Sequence, residues 1–325
     1  MELTCKIETF PFKRRFAISR STRTETRVVT VTIHSGDKVG RGECVPADRY
    51  GETVEGVVAE VELVARLVQN CPDRGYLQTL LPPGAARNAI DCALWDLEAK
   101  RGGHRCLEQA GLYWCEPVTA FSISLDDPVV MASAAEREAT RPLLKLKLGG
   151  GKEDEARVRA VRKAAPAATL IVDANESWKE EDFPLLLGAC QKADVKWIEQ
   201  PFPAGADGVL RDTVRTIPIC ADESIRDRSD LAGLRDRYDA VNIKLDKAGG
   251  LTEALETMTQ ARALGFRILI GSTVGTSLAM APALLLAKDA EYVDLDGPLL
   301  LDRDREVGLV YDGSIIRPPD GRLWG

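Results

Sequence analysis

The chain has 325 residues, enough for one large domain beside a smaller one, and its 43 basic and 50 acidic residues leave a formal net charge of −7. Because neither sign forms long runs, this balance argues against nucleic acid or an anionic membrane as the partner and favours a small molecule. Eight cysteines without a CxxC pair, together with only two histidines, exclude a zinc-finger or c-type haem pattern and predict reduced thiols.

The N-terminal segment has acidic and basic residues where a signal peptide would need an apolar core, and no later run approaches membrane-spanning length. We therefore expect a soluble cytoplasmic protein. The sequence leaves open whether the chain forms a homo-oligomer.

The first third of the chain predicts an α+β domain. Residues 2–10 and 27–34 are rich in alternating β-branched side chains, which is typical of strands. The polar stretch 19–25 between them predicts a mobile loop, and a second loop is expected after Gly42-Glu43-Cys44, from Pro46 to Gly51. Helical periodicity follows over two segments, 54–70 and 84–101.

From about residue 118 the pattern changes to short apolar strands that alternate with helix-length segments. Eight candidate strands begin 21 to 27 residues apart, near Val118, Leu143, Thr169, Lys196, Ile217, Ala240, Phe266 and Tyr292. This spacing predicts a parallel (β/α) barrel, with a doubly wound open sheet as the alternative. No GxGxxG motif follows any of these strands, so nucleotide binding loses support.

Carboxylates end three consecutive strands of the predicted barrel. Asp173, Glu199 and Asp222 each follow a run of apolar residues. In a parallel barrel the carboxyl ends of the strands meet at one rim, so the three side chains should converge and offer the oxygen ligands that Mg²⁺ prefers. For Asp173 and Asp222 taken singly, capping of a helix is the alternative.

Lysines point into the same predicted rim. Lys145 and Lys147 alternate with leucines and therefore share one face of a strand. On an edge strand this face would be exposed to solvent. On the second strand of a barrel it points inward. Burial, a cation and the neighbouring ammonium group should then lower a lysine pKa enough for it to act as a base. Lys244 points inward from the sixth strand, across the barrel from Lys147, whereas Lys247 has the opposite parity and is expected in the loop.

The eighth strand ends with Asp294 and Asp296 on one face, which suggests a clamp for a cationic group of the substrate, with capping of the following loop as the alternative. A metal that binds a substrate carboxylate stabilises the enediolate formed when the adjacent carbon loses a proton. Two amines on opposite faces could remove and return that proton and give the epimer; if a leaving group departs, the product is an alkene.

These motifs resemble the muconate-lactonizing subgroup of the enolase superfamily, and within it the dipeptide epimerases of the L-Ala-D/L-Glu type. The likeness runs over nearly the whole chain. The matching segments are Gly42-Glu43-Cys44, Arg49–Glu52, Ala85–Asp91, Lys145-Leu146-Lys147, Leu170–Trp178, Glu199-Gln200-Pro201, Cys220–Ser224, Asn242–Gly250 and Asp294–Pro298.

The resemblance implies an α+β capping domain of residues 1–116, completed by the tail 299–325, and a modified TIM barrel, (β/α)7β, of residues 117–298. It implies one Mg²⁺ per subunit, and further roles for eight side chains. These are metal ligation by Asp173, Glu199 and Asp222, acid/base catalysis by Lys147 and Lys244, electrostatic support of the enolate by Lys145, and binding of the dipeptide ammonium group by Asp294 and Asp296.

Four further positions follow from the same resemblance. Arg23, in the first predicted loop, is placed to bind the side-chain carboxylate of a C-terminal glutamate. Asn175 and Glu223, which follow two of the metal ligands, are expected to support them. Gly275 stands where cycloisomerases of this subgroup and some epimerases have a glutamate, which weakens a lactone-forming role.

The function expected from the sequence is Mg²⁺-dependent epimerisation of the C-terminal residue of a dipeptide, L-Ala-D/L-Glu from cell-wall peptide turnover. An o-succinylbenzoate synthase or cycloisomerase on the same scaffold is the alternative, and a catalytically silent metal-binding barrel is a more remote one. Asp294 and Asp296 favour the dipeptide, because an amine-bearing substrate needs anions there and a dicarboxylate would be repelled.

Overall fold

The computed structural model describes residues 2–67 and 73–325. The chain opens with a three-stranded antiparallel sheet of β1 (Glu2–Ile18), β2 (Ser21–Ser35) and β3 (Lys38–Cys44). A 3-10 turn over Asp48–Tyr50 follows. The helices of this first part are α1 (Val54–Leu67), α2 (Arg74–Leu80), α3 (Ala85–Gly102) and α4 (Cys106–Gln109). The last residues of the predicted helix 54–70 lie outside the described residues.

The predicted loop 19–25 is wrong, because all but two of its residues belong to strand β2. Ser21 pairs with Ile18 and Arg23 pairs with Phe16, so the hairpin turns at residues 19 and 20. This end of the hairpin extends beyond β3 as a two-stranded ribbon. The side chains of this ribbon do not need the alternating apolar pattern of a strand that packs on a core. A polar sequence can therefore form a strand here.

Helix α3 packs against β3 through two glycines. A Cβ at Gly40 would lie 2.2 Å from the Ala93 carbonyl oxygen, and one at Gly42 would lie 2.1 Å from the Ala89 carbonyl oxygen. Only glycine allows this close approach. The helix and the sheet thereby enclose a separate apolar core for the first part of the chain, which includes Val31.

Eight parallel strands form the second part. They are β4 (Phe121–Ile123), β5 (Leu143–Lys147), β6 (Thr169–Asp173), β7 (Val195–Glu199), β8 (Ile219–Ala221), β9 (Ala240–Ile243), β10 (Arg267–Gly271) and β11 (Tyr292–Asp294). Each begins within three residues of its predicted start. The strands pair in chain order, and a parallel bridge between Thr119 and Val293 joins the first strand region to the last. The barrel prediction is confirmed, and the open sheet is excluded.

Helices cover most of the outer face of the barrel. They are α5 (Pro128–Arg137), α6 (Glu153–Ala164), α7 (Phe183–Lys192), the short α8 (Leu245–Ala248), α9 (Leu251–Ala263), α10 (Ser277–Ala283) and the short α11 (Gly297–Leu300). After β7 and β8, 3-10 turns at Gly208–Arg211 and Arg228–Gly233 take the place of the α-helices that the alternation predicts. In the part of the chain that the structure describes, no helix is long and apolar enough to cross a membrane.

The tail returns to the first part of the chain. Phe12 bridges to Leu301, and Trp324 Nε1 donates to the carbonyl oxygen of Cys92 at 2.9 Å. The tail contains a small hairpin of β12 (Tyr311–Asp312) and β13 (Ile315–Ile316). These contacts agree with a capping domain completed by 299–325, although the boundaries at 116 and 298 stay a prediction.

Candidate active site

Three carboxylates converge at the carboxyl-terminal rim of the barrel. Asp173 and Glu199 are the last residues of the adjacent strands β6 and β7, and Asp222 follows the end of β8. One oxygen from each side chain lies within 4.8 Å of the others, and all three residues are buried. Neither aspartate caps a helix, since turns follow both strands. The rule that strand ends share one rim therefore predicts their convergence correctly.

The surrounding contacts orient these carboxylates. Asn175 donates its backbone N–H to Asp173 Oδ1 at 2.9 Å, and Asn242 Nδ2 donates to Glu199 Oε1 at 2.8 Å. Glu199 Oε2 is buried without a hydrogen-bond donor, although Lys145 Nζ lies 2.7 Å away. A buried set of three carboxylates whose oxygens converge within 4.8 Å fits a hard divalent cation.

Three lysines pair with the carboxylates. Lys145 is fully buried, and its Nζ lies 2.7 Å from Glu199 Oε2 and 3.4 Å from Asp173 Oδ2. Lys147 Nζ donates to Asp173 Oδ2 at 2.7 Å, and Lys244 Nζ contacts Asp222 at 2.6 Å. Lys147 ends strand β5, and Lys244 directly follows strand β9. Three strands separate β5 from β9 in either direction around the barrel. The predicted opposition of Lys147 and Lys244 across the carboxylates is therefore what the structure shows.

The charges of the protein alone do not produce the expected fall in lysine pKa, which also included the effect of a bound cation. Burial by itself would lower the pKa of Lys145 and of Lys244, but the surrounding carboxylates, foremost Asp294 and Asp222 respectively, raise both above the usual lysine value. Burial would likewise raise the pKa of Asp173, but Lys147 and Lys145 hold it down to about 2. Burial, a cation and lysine repulsion enter the prediction from the sequence, but the attraction of the surrounding carboxylates, which together outweigh burial here, does not.

A cavity of about 410 Å³ lies above this rim, between the first part of the chain and the barrel. Lys147 and Lys244 line it from below. From above it is lined by the hairpin β1–β2 and by the loop before α1, with the side chains Phe16, Ile18, Arg20, Arg23, Asp48, Arg49 and Tyr50. The two parts of the chain therefore enclose the site together.

Three arginines of the cavity differ in how firmly they are bound. Arg20 pairs with Glu223 at 2.8 Å, and Arg49 makes two hydrogen bonds of 2.7 Å to Glu176. Within the described residues, the only ion pair of Arg23 is a 3.4 Å contact with Asp48, whose side chain is 84% exposed. Among the three, Arg23 therefore keeps the guanidinium most available for another anion. The sequence argument singled out Arg23 and missed Arg20, which stands in the same polar stretch.

Asp294 and Asp296 are both buried near Lys145. Asp294 Oδ2 accepts a hydrogen bond from Lys145 at 2.7 Å, while Oδ1 is buried without a donor. Asp296 Oδ2 accepts from the Ser122 backbone N–H at 2.7 Å. Burial, reinforced by the charge of Asp294, raises the pKa of Asp296 to about 7. Asp296 precedes α11, but its side chain makes no capping hydrogen bond there.

Lys247 lies in the site, contrary to the expectation from parity. Its side chain is 4% exposed, and Nζ donates to Asp222 Oδ1 at 2.6 Å. Strand β9 ends at Ile243, and a helical turn begins directly after Lys244. Strand parity therefore does not apply beyond Lys244, and the helical turn brings Lys247 back to the same side.

Two family models match the chain. Residues 3–108 match the mandelate racemase / muconate lactonizing enzyme N-terminal domain, and residues 130–322 match the enolase C-terminal domain-like family. The chain belongs to the mandelate racemase and muconate lactonizing enzyme family of the enolase superfamily. The resemblance inferred from the motifs is thus confirmed.

Two characterised relatives of this enolase-superfamily chain share more than 40% of its residues. An L-Ala-D/L-Glu epimerase of Escherichia coli (strain K12) is 43% identical over 307 residues, which cover 94% of this chain and 95% of the relative. An N-acetyl-D-glutamate racemase of Pseudoalteromonas sp is 41% identical over 301 residues, covering 92% and 95%.

Solved structures of this superfamily share the whole fold. An enolase family member from Agrobacterium tumefaciens with homology to dipeptide epimerases, holding sodium and L-Ala-L-Glu, is 52% identical with a TM-score of 0.98 and 99% coverage of both chains. A dipeptide epimerase from Enterococcus faecalis V583, complexed with Mg and L-Leu-L-Tyr, is 26% identical with a TM-score of 0.90, covering 98% of this chain and 97% of the other.

Space for a side chain at Gly275 is tight. A Cβ there would lie 3.1 Å from Glu43 Oε1, from Val45 Cγ2 and from Ala279 Cβ. A glutamate at this position would therefore require small shifts of the side chains of Glu43, Val45 and Ala279. The glycine at position 275, in place of a glutamate, fits the close packing of the two parts of the chain.

Proposed function

We propose that this enzyme epimerises the C-terminal residue of dipeptides, with L-Ala-D/L-Glu as the substrate, by moving one proton between two lysines. The observation that carries the proposal is the placement of Lys147 and Lys244 on opposite sides of one carboxylate cluster. Such a pair can take the α-proton from one face of a planar enediolate and return it to the other. The homology to dipeptide epimerases supports the same substrate class.

Asp173, Glu199 and Asp222 would hold Mg²⁺, for which three carboxylates with space left for substrate are a suitable ligand set. The metal would supply positive charge that stabilises the enediolate and would compete with the lysines for these carboxylates. Lys244 would then lose part of the attraction to Asp222 that raises its pKa. Lys145, buried beneath them, would add a fixed positive charge on the enolate side.

The remaining site residues would select the substrate. Asp294 Oδ1, buried and without a donor, is suited to accept a hydrogen bond from the dipeptide ammonium group, with Asp296 beside it. Arg23 would bind the side-chain carboxylate of the C-terminal glutamate after exchanging its weak contact with Asp48. Asn175 would keep Asp173 oriented through its backbone N–H. Glu223 would hold Arg20 at the cavity wall.

Incubation of the enzyme with L-Ala-L-Glu and Mg²⁺ in D₂O tests the proposal. We expect the ¹H NMR signal of the glutamate α-proton to disappear while L-Ala-D-Glu accumulates. The Lys147→Ala and Lys244→Ala double variant is the control and should show neither change. If no L-Ala-X dipeptide exchanged its α-proton, the proposed activity would be wrong.

A second candidate is racemisation of N-acetylglutamate, the activity after which one 41% identical relative is named. Asp294 accepts a hydrogen bond from Lys145, and Asp296 has a pKa of about 7. This end of the site is therefore less negative than two free carboxylates would make it. Comparison of kcat/KM for L-Ala-L-Glu and N-acetyl-L-glutamate decides between the two. The Asp294→Asn variant should lose activity on the dipeptide more than on the N-acetyl compound if an ammonium group binds there.

A further inference from the structure

Lys247 has all of its hydrogen-bonding capacity taken up by two strand ends. Its Nζ donates to the carbonyl oxygen of Asp222 at 2.5 Å, to Asp222 Oδ1 at 2.6 Å and to the carbonyl oxygen of Asn242 at 3.0 Å. An ammonium group has three donors, so these contacts use every one. The side chain thus ties the end of β8 to the end of β9 from a buried position.

Lys244 holds the same carboxylate in a different manner. Within residues 2–67 and 73–325, the only hydrogen-bond partner of its Nζ is Asp222 Oδ2, at 2.6 Å. Its side chain is 15% exposed against 4% for Lys247, and it lines the cavity. Lys244 can therefore leave Asp222 by breaking one hydrogen bond, whereas Lys247 would have to break three.

We propose that Lys247 is a positioning residue, which fixes the carboxylate and main chain of Asp222 for metal binding and leaves Lys244 free to transfer protons. This inference rests on the metal site proposed above. Removal of Lys247 would leave three buried acceptors without their donor, and the carboxylate of Asp222 would turn away from its position. Loss of such an outer partner of a metal ligand typically weakens metal binding about 10- to 100-fold.

The sign of the change in Mg²⁺ affinity separates positioning from simple charge. A cation beside a metal ligand repels the metal, so a role through charge alone predicts that Lys247→Met and Lys247→Gln both bind Mg²⁺ more tightly than the parent. Positioning predicts weaker binding by Lys247→Met, and a smaller loss for Lys247→Gln, which keeps an amide donor. Lys244→Met is the matched control, because it removes the same charge from the other oxygen of Asp222 and should not weaken binding.

Isothermal titration of Mg²⁺ into the four proteins measures these affinities without turnover, and thermal melting shows that each is folded. We expect about a 10- to 100-fold weaker Kd for Lys247→Met. At saturating Mg²⁺, this variant should still exchange the α-proton of both L-Ala-L-Glu and L-Ala-D-Glu in D₂O, whereas Lys244→Met should exchange only one. Because Lys247→Gln keeps a polar group in the buried site, it carries the test if Lys247→Met does not fold.

Unchanged or tighter Mg²⁺ binding by both Lys247 variants would overturn the inference while leaving the proposed function intact. Loss of exchange from one epimer only, at saturating Mg²⁺, would also overturn it, because Lys247 would then be a base. If the parent protein exchanged the dipeptide but bound no Mg²⁺, the metal site and this inference would both be wrong.

Discussion

Replacement of Arg49 by methionine tests whether the contact between the loop before α1 and the barrel rim contributes to substrate binding. Arg49 donates Nε and Nη2 to Glu176, three residues beyond the proposed metal ligand Asp173. Burial alone would raise the pKa of Glu176, but the hydrogen bonds from Arg49 and from the Ala204 backbone lower it below the usual value. The pair is therefore ionised at neutral pH and spans the cavity.

The strength of this pair follows from its burial. Hydrogen bonds to charged groups contribute about 1.5–3 kcal/mol when buried, whereas exposed ion pairs contribute about 0–1 kcal/mol. The Arg49 side chain is 38% exposed and that of Glu176 only 11%, so an intermediate value applies. We expect a loss of about 1–2 kcal/mol, which raises KM for L-Ala-L-Glu roughly 5- to 30-fold. The value of kcat should change little, because neither side chain touches the lysines.

Steady-state kinetics with L-Ala-L-Glu at saturating Mg²⁺ measure both constants. Arg267→Met is the matched control: Arg267 also pairs with a glutamate, Glu291, through two nitrogens and is 39% exposed, but it lies at the opposite end of the barrel. Its loss should leave KM unchanged. A fall in kcat with constant KM for Arg49→Met would refute the argument, and so would an equal rise in KM for the control.

Three further predictions concern the bases and two buried carboxylates. Lys147→Ala and Lys244→Ala should each lower the rate of epimerisation about 10²- to 10⁴-fold. Each variant should still exchange the α-proton of one dipeptide epimer, and that epimer should differ between the two variants. If NMR in D₂O showed that either variant exchanges both epimers, the two-base scheme would be contradicted. Arg305→Met leaves Glu43 as a buried charge without its cation. This variant should lower the free energy of unfolding, measured in urea, by about 3–5 kcal/mol. Adding Glu43→Gln to the same chain should restore most of that loss, because it removes the buried charge. Burial raises the pKa of Asp91 to about 6 from 3.8, so this group contributes stability that is present below pH 3.8 and lost as the pH rises through 6. Relative to Asp91→Asn, the unfolding free energy of the parent should therefore fall by about 2 kcal/mol between pH 4 and pH 7, and parallel pH profiles would contradict this assignment.

The barrel and the carboxylate cluster could be predicted from the sequence because both depend on short-range rules. Alternation places Lys145 and Lys147 on the inner face of one strand, and parallel strands bring their carboxyl ends to one rim. The positions of Asp173, Glu199 and Asp222 follow from these two rules alone. No long-range contact has to be known.

The residues that the sequence argument missed depend on where regular structure stops. Lys247 was excluded by strand parity, which ends at Ile243, one residue before Lys244. Arg20 was overlooked because a polar two-stranded ribbon has the composition of a loop. The lysine pKa values depend on distances to carboxylates on other strands, which periodicity does not contain.

The formal charges of the site connect the metal to the substrate. The rim and the adjoining cavity wall hold six carboxylates and five cationic side chains. The carboxylates are Asp173, Glu199, Asp222, Glu223, Asp294 and Asp296. The cationic side chains are Lys145, Lys147, Lys244, Lys247 and Arg20. This set has a formal charge of −1, which one divalent cation would change to +1. L-Ala-L-Glu, with one ammonium and two carboxylate groups, carries −1. Because opposite charges attract, the Mg²⁺-loaded site binds the dipeptide more favourably than the metal-free site, so the metal is expected to bind before the substrate.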